Sequence, residues 1–232
     1  MSEHHHDHEG KCVEKSDDAE GFGILELAIR ELCIEKHYFS AEDHRRFVEF
    51  MEGLTPNHGA RIVAKAWTDP EFKKRLLEDA TKTCLELGID WMKPTGWGTP
   101  SDFTYLYALE DTPKLHNAIV CTLCSCYPRP ILGIAPSWYE RSNYRRRMVR
   151  WPRSVLAEFG TIVPEDVEVR IHDSNAKSRF FVIPLRPAGT EGWTEDQLAK
   201  LVTRDTMIGV SFCNKDWTVD STPGNLSWQR DG

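Results

Sequence analysis

Three cysteines lie within six residues of the chain, in the order Cys121-Thr122-Leu123-Cys124-Ser125-Cys126. Core packing does not require three thiols at this C-x-x-C-x-C spacing. The spacing does suit the chelation of a metal ion. The Cys126 thiolate and its own backbone nitrogen can close a five-membered ring on a metal ion, and the Ser125 and Cys126 amide nitrogens can close another. With the Cys121 and Cys124 sulfurs, the segment offers three sulfurs and two nitrogens and leaves one position open.

This donor set favours a small trivalent transition metal over zinc, because thiolates and deprotonated amides are strong donors. An open coordination position is typical of a catalytic metal site. Other metal sites are alternatives. A structural zinc site would use His116 as its fourth ligand, and an iron–sulfur cluster would lack its usual fourth cysteine. A non-catalytic metal carrier could combine the cysteines with the histidine-rich start, His4–His8.

The CTLCSC motif, followed by Tyr-Pro, resembles the metal-binding loop of the nitrile hydratase α-subunit family. The resemblance runs from about Gly21 to about Val210 and includes the motifs AEDHRR and LVTRD. Within the family, Thr122 resembles the cobalt type, since the iron type usually has serine at this position. The resemblance therefore implies one Co(III) per subunit, with Fe(III) as the less favoured metal.

Two features resemble a branch of this family whose members hydrolyse thiocyanate. Arg129 follows the Tyr-Pro pair, where nitrile hydratases usually carry tryptophan, and the segment NYRRRMVRWPR is also typical of this branch. The branch implies a catalytic cobalt subunit that converts thiocyanate and water to carbonyl sulfide and ammonia. The alternative is the α-subunit of a cobalt-type nitrile hydratase, which converts nitriles to amides.

The family resemblance also assigns roles within the loop. It implies sulfur ligation by Cys121, Cys124 and Cys126, and backbone-nitrogen ligation by Ser125 and Cys126. It further implies that Cys124 becomes a sulfinic acid and Cys126 a sulfenic acid, while Cys121 stays a thiolate. Cys126, Cys124 and Ser125 are thus the expected catalytic residues. The attacking oxygen is either the Cys126 sulfenate or a water that it activates.

Arg129 and Tyr127 are the expected substrate-binding residues. A guanidinium suits a small anion such as thiocyanate, through charge-assisted hydrogen bonds. The alternative is a surface arginine paired with a carboxylate. The arginines between residues 145 and 153 permit a similar anion-binding interpretation, although a solvated helix face with subunit contacts is favoured. On an alternating strand, Arg170 and Asp173 are candidates to support the cysteine loop.

Composition restricts the class of protein. The net charge of −7 argues against general nucleic-acid binding, and no apolar run approaches the roughly 18 residues of a membrane span. The polar start does not resemble a signal peptide, and the four remaining cysteines are scattered, so a reducing cytoplasm is expected. Family resemblance implies partner subunits that complete the active site by supplying arginines as hydrogen-bond donors to the oxidised cysteines, and it implies a cobalt-delivery protein as a further partner.

The pattern of elements predicts an α+β fold, and the resemblance implies a layered α-β-β-α catalytic domain behind an N-terminal helical arm. We expect a disordered tail over 1–20, the arm over 21–91, the catalytic metal-binding domain over 92–213 and a weakly ordered tail over 214–232.

Local patterns predict individual elements, including two helices that begin at the N-cap residues Ser40 and Asp69, the second with Pro70 in its first position. An apolar stripe that includes Leu25 and Leu32 predicts an amphipathic first helix, which packs either on the chain's own core or on a partner subunit. Alternation over 167–172 predicts a half-buried strand, with 180–185 as its neighbour, and the apolar run 207–212 predicts a last strand.

Overall fold

The computed structural model describes residues 19–89 and 105–214, with side chains from residue 23 onward. The histidine-rich start, the segment 92–104 and the predicted C-terminal tail after residue 214 lie outside these ranges. The described helices are α1 (Ala19–Glu35), α2 (Ala41–Glu52), α3 (Asn57–Thr68), α4 (Pro70–Glu78), α5 (Ala80–Glu86), α6 (Arg129–Leu132), α7 (Ser137–Glu140), α8 (Ser142–Met148), α9 (Pro152–Glu158), α10 (Glu195–Ala199) and α11 (Arg204–Ile208). The described strands are β1 (Tyr105–Glu110), β2 (Leu115–Val120), β3 (Glu168–Asp173) and β4 (Ser178–Ile183).

The chain divides into two units, one holding the described residues 19–46 and the other holding 47–89 and 105–214. In the first unit, Ser40 caps α2 by accepting a hydrogen bond from the Asp43 backbone nitrogen, as predicted. The apolar side chains of α1 remain about half exposed, with Leu25 at 53% and Leu32 at 49%. None of the described helices is long and apolar enough to span a membrane.

The second unit contains two parallel strand pairs, β1 with β4 and β2 with β3. Helices flank these pairs, so the predicted α+β class is confirmed. The predicted pairing of segment 180–185 with the strand over 167–172 is wrong, because β4 pairs with β1 and β3 pairs with β2. Alternation indicates that a segment is a strand, but it does not specify the hydrogen-bonding partner.

Helices α3, α4 and α5 belong to the same unit as the cysteine loop. Ile62, Val63 and Ala64 of α3 are fully buried. Asp69 caps α4 by accepting from the Phe72 backbone nitrogen, and Pro70 occupies the first turn, as the sequence predicts. These helices therefore form part of the core around the site. The boundary predicted near residue 91 lies outside the described residues and stays a prediction.

The predicted strand over 207–212 is wrong. Thr203 and Thr206 instead form a reciprocal cap that begins α11, and Gly209 ends the helix in a left-handed conformation with φ of +86°. Met207, Ile208 and Val210 are all fully buried. A short apolar run that is buried on all sides lacks the alternation that separates a strand from a helix, so the sequence pattern was ambiguous here.

A buried polar network holds β2, the strand that leads into the cysteine loop. The two ring nitrogens of His116 contact the Asp111 carboxylate at 3.0 Å and the Gly209 carbonyl at 2.8 Å. Asp111 also accepts from the backbone and side-chain amides of Asn117, and His172 of β3 contacts the Asn117 side-chain oxygen at 2.9 Å. The network thus connects the end of β1 to β2, to β3 and to the turn after α11.

Substitution of Gly209 should disrupt this junction. A Cβ atom at Gly209 would lie 2.1 Å from the Asn117 carbonyl oxygen and 2.7 Å from the Ala118 Cα. Gly209→Ala should therefore lower the free energy of unfolding by more than about 3 kcal/mol, measured by chemical denaturation. Gly192 is the matched control, because it has a similar φ of +78° and no neighbour within 4 Å of a built Cβ. Gly192→Ala should cost only the backbone term of about 1–2 kcal/mol. Equal losses in the two variants would contradict the steric argument.

Candidate metal centre

The cysteine loop follows β2 directly and ends where α6 begins. Cys121 is fully buried, since it continues the buried face of the strand, whereas Cys124 is exposed and Cys126 is partly exposed. The Cys121 and Cys124 sulfurs are 3.6 Å apart, and the Cys124 and Cys126 sulfurs are 3.2 Å apart. The Cys121 sulfur also accepts from the Cys124 backbone nitrogen at 3.2 Å. The loop therefore folds back so that all three thiols converge.

The converged sulfurs fit a single metal ion. All three lie within 4.8 Å of one another. Two sulfurs that each lie about 2.3 Å from one ion and meet at a right angle are about 3.3 Å apart, close to the separations observed here. Within residues 19–89 and 105–214, these cysteines are the group of histidine, cysteine or carboxylate side chains that could hold a metal.

A zinc site with three cysteines would need His116 as its fourth ligand, but the side chain of His116 binds other groups. Both of its ring nitrogens are engaged, one by Asp111 and the other by the Gly209 carbonyl. The ring is 3% exposed and packs edge-on against Phe212, with ring centroids 5.1 Å apart. His116 is therefore a structural residue in this fold, and the three-cysteine, one-histidine zinc site is not formed.

The thiols of Cys124 and Cys126 differ in acidity. The hydrogen bond from the Cys126 thiol, followed by that from Cys121, lowers the pKa of Cys124. Burial raises the pKa of Cys126 to about 12, with a further contribution from its hydrogen bond to Cys124, while the nearby Arg179 guanidinium acts in the opposite direction. Cys124 thus deprotonates before Cys126, which holds its proton until a cation replaces it.

Side chains from several elements hold the two ends of the loop. Asp173, at the end of β3, accepts from the Thr122 backbone nitrogen at 2.9 Å and from its hydroxyl at 2.5 Å, as its predicted supporting role required. Arg170 does not reach the loop, because it pairs with Glu168. At the other end, the Tyr139 hydroxyl donates to the Cys126 carbonyl at 3.2 Å.

Helix α8 supplies contacts that sequence reasoning missed. The Tyr144 hydroxyl donates to the Ile119 carbonyl at 2.7 Å, and the neighbouring Arg145 donates to the Thr122 carbonyl at 3.2 Å. The arginines between residues 145 and 153 make different contacts. Arg147 pairs with Glu158, and Arg153 donates to backbone carbonyls of the loop after α9. The sequence gives no signal that singles out Arg145.

The predicted substrate-binding residues occupy different environments. Arg129 is exposed at the first position of α6 and forms no ion pair within the described ranges. Tyr127 is 6% exposed, and its hydroxyl donates to the Leu132 carbonyl at 3.4 Å. Ser125 is partly exposed at the centre of the loop. Arg129 is therefore free to meet a solute at the loop, whereas Tyr127 supports the loop from within.

Comparison with known proteins agrees with this geometry. Residues 21–211 match the family model "Nitrile hydratase, alpha chain". The chain belongs to the nitrile hydratase α-chain family. The match includes the cysteine loop and all of the side chains that hold its two ends.

Relatives within this family carry two kinds of name. The chain is 54% identical to the thiocyanate hydrolase subunit gamma of Thiobacillus thioparus over 207 residues, which cover 88% of this chain and 85% of that protein. It is 46% identical to the cobalt-containing nitrile hydratase subunit alpha of Pseudonocardia thermophila over 185 residues, which cover 79% of this chain and 86% of that protein.

Solved structures of the family share the fold. A recombinant thiocyanate hydrolase with partially modified cobalt centres matches with a TM-score of 0.81 at 54% identity, covering 88% of this chain and 95% of that chain. A double histidine-to-alanine variant of the Fe-type nitrile hydratase from Comamonas testosteroni Ni1 matches with a TM-score of 0.79 at 37% identity, covering 90% of this chain and 98% of that chain. The predicted family fold is confirmed.

The different acidities of the thiols predict an order of alkylation in the metal-free protein. The thiolate is the nucleophile, so the exposed Cys124 should react with iodoacetamide at neutral pH before Cys126 does. Buried Cys84, whose pKa burial raises to about 12, is the control and should react last. Peptide mass spectrometry after timed quenching gives the order. Faster labelling of Cys126 than of Cys124 would contradict the assigned acidities.

Proposed function

We propose that this chain is the metal-binding catalytic subunit of a thiocyanate hydrolase. The proposed reaction converts thiocyanate and two waters to carbonyl sulfide, ammonia and hydroxide. The observation that carries the proposal is the position of Arg129. This exposed cation begins α6 and lies three residues after Cys126, the last cysteine of the loop that gathers the three thiols. The 54% identity to the thiocyanate hydrolase subunit of Thiobacillus thioparus supports the same activity.

The metal that suits this loop is Co(III). Cys121, Cys124 and Cys126 would hold it through sulfur, and Ser125 and Cys126 would add backbone nitrogens. When bound, it would act as a Lewis acid that makes a nitrile-like carbon more electrophilic. Relatives and solved structures that contain cobalt support this choice of metal, and Thr122 is the residue typical of the cobalt type. Fe(III) is the second candidate, since an Fe-type nitrile hydratase shares the fold.

The chain's own residues divide the remaining work. Arg129 binds the anion by charge-assisted hydrogen bonds and holds it beside Ser125 and Cys126. With Cys126 as a sulfenate, its oxygen either attacks the thiocyanate carbon and is then replaced by oxygen from water, or takes a proton from the attacking water. Cys124 as a sulfinate adds negative charge beside it. Arg179, whose charge favours the ionised form of Cys126, stabilises that oxygen-bearing sulfur electrostatically.

Exposure of the loop supports the need for partner subunits. Leu123 is 81% exposed at the tip of the loop, and Ile134, beyond α6, is 45% exposed. Apolar side chains beside a reactive sulfur are poorly placed in open water, and the apolar face of α1 is also exposed. Because matched relatives are named as subunits, we propose a hetero-oligomer whose partner covers the loop. A cobalt-delivery protein and a cytoplasmic location remain predictions.

Loss of a loop thiol should abolish metal retention. Cys121→Ser, Cys124→Ser and Cys126→Ser each remove one sulfur from the ligand set, so cobalt measured in the purified complex should fall to background. Cys33, which is partly exposed in α1 and distant in sequence, is the control, and Cys33→Ser should retain the wild-type cobalt content. Wild-type cobalt in any of the three loop variants would exclude the ligand set.

The choice between thiocyanate and nitriles depends on Arg129. Cobalt-loaded complex should turn over thiocyanate in preference to a small nitrile, and Arg129→Trp should raise the KM for thiocyanate about tenfold to hundredfold. This range corresponds to the loss of one charge-assisted hydrogen bond, about 1.5–3 kcal/mol. Arg150, another exposed arginine of the second unit, is the control for charge, and Arg150→Trp should leave KM unchanged.

Unchanged thiocyanate kinetics in Arg129→Trp, with cobalt still bound, would remove Arg129 from substrate selection. A wild-type complex that hydrates the nitrile and ignores thiocyanate would instead favour the second candidate function, a cobalt-type nitrile hydratase α-subunit. The 46% identity to the subunit of Pseudonocardia thermophila is the observation behind that candidate.

A further inference from the structure

Thr122 lies between two metal-ligating cysteines and is itself not a ligand, yet three of its polar atoms are held by side chains. Its backbone nitrogen and hydroxyl donate to Asp173, and its carbonyl accepts from Arg145. We propose that Asp173 and Arg145 are positioning residues that fix the loop before the metal arrives and so set how fast and in what geometry it is loaded. This inference rests on the proposed function only in taking the loop to be a cobalt site.

Asp173 is placed by the parallel pairing of β2 and β3. It lies opposite Val120 in the register, and the next residue, Ser174, donates its backbone nitrogen to the Val120 carbonyl at 2.7 Å. Both strands therefore end at the same edge, and the carboxylate reaches the residue that follows Cys121. Two hydrogen bonds to one carboxylate fix both the position and the rotation of Thr122.

Arg145 contacts a different atom of the same residue, the backbone carbonyl oxygen of Thr122. Its neighbour Tyr144 is buried and donates to the Ile119 carbonyl, which anchors α8 against β2. From that anchor the Arg145 guanidinium extends along the chain to the Thr122 carbonyl. Its Nε atom is buried and has no hydrogen-bond partner within the described residues, so the guanidinium keeps a spare donor near the loop. Arg145 thus contributes both a contact and a positive charge near the loop.

The clamp acts on the thiols through the backbone. Holding Thr122 fixes the direction in which the chain leaves Cys121, whose sulfur accepts from the Cys124 nitrogen at 3.2 Å. Tyr139 holds the far end of the loop through the Cys126 carbonyl. Both ends are thereby set in place, while Leu123 at the tip remains exposed. In a preorganised loop, a larger fraction of the chains already has its ligands in the binding arrangement, so metal binding is both tighter and faster.

Charge gives the clamp a second effect. Thiolates and deprotonated amides together carry more negative charge than a trivalent ion neutralises, so a cation beside the loop favours the loaded state. Arg145 supplies such a cation, while Asp173 opposes it and contributes through geometry instead. We therefore expect substitutions of the two residues to affect metal loading in different ways. Asp173 acts only through Thr122, whereas Arg145 acts partly through its charge.

The experiment uses the full complex, expressed without cobalt and then loaded with cobalt(II) chloride in air. The variants are Asp173→Ala, Thr122→Val, the double variant of these two, Arg145→Met and Arg145→Lys. Loading is followed by bound cobalt and by sulfur-to-cobalt absorption, and neither requires turnover. Asp166→Asn and Arg146→Met are matched controls, since Asp166 and Arg146 are exposed charges away from the loop contacts. Thermal unfolding of each metal-free complex identifies variants that merely fail to fold.

We expect Asp173→Ala to slow cobalt loading by about tenfold, the low end for loss of charge-assisted hydrogen bonds, because water competes at exposed Asp173. Thr122→Val should slow loading less, since it keeps the backbone contact, and the double variant should load no more slowly than Asp173→Ala alone. Arg145→Met should slow loading and shift the absorption band, and Arg145→Lys should partly restore both. The controls should load as the wild type does.

Several outcomes would overturn the clamp. Wild-type loading and absorption in Asp173→Ala and Arg145→Met would remove it while leaving the proposed function intact. Additive effects of Asp173→Ala and Thr122→Val would show that Asp173 does not act through Thr122. Slower loading that tracks a lower unfolding temperature would assign these residues to stability alone. A wild-type complex that binds no cobalt would overturn the proposed function, and this inference with it.

Discussion

The common edge at which β2 and β3 end is the constraint on which the rest of the site depends. Because paired parallel strands finish side by side, the residue that leaves β2 emerges beside the last residue of β3. Cys121 is buried by continuing β2, and Asp173 is placed to receive the next residue, Thr122. The chelating spacing in the sequence becomes a chelating shape only because this edge fixes where the loop starts.

Because β2 is buried, its polar side chains need hydrogen-bond partners within the protein, and the network around Asp111 supplies them. A backbone carbonyl only accepts, so His116 donates one ring proton to Gly209. Asn117 uses its amide nitrogen toward Asp111, which leaves its oxygen to accept from His172. Burial lowers the pKa of His172, which favours the neutral ring, and a neutral ring with its proton on Nε2 donates this bond. The network therefore fixes the strand's position with few degrees of freedom left at its end.

Sequence reasoning reached the family, the α+β class, the helix caps at Ser40 and Asp69 and the converging cysteines, because each is encoded by neighbouring residues. It failed where the answer depends on distant ones. The partner of β4 is set by tertiary packing, and the run after Met207 is buried on all sides and so shows no period. Arg145 reaches the loop only because Tyr144 anchors α8, a relation that spacing does not encode.

The cysteines of the loop lie in opposite environments. Cys121 is buried in the core, where its sulfur is protected from oxidants, while Cys124 is exposed and its pKa is lowered, which favours oxidation. A sulfenic acid at Cys126 would lie between these extremes. A free thiol that reached it would convert it to a disulfide and water, and an oxidant would convert it to a sulfinic acid. This chain shields Cys126 only in part, with Tyr139 on its carbonyl and Arg179 near its sulfur. The proposed oxidised state therefore needs a cover over the tip of the loop, and exposed Leu123 is the apolar surface on which such a cover would rest.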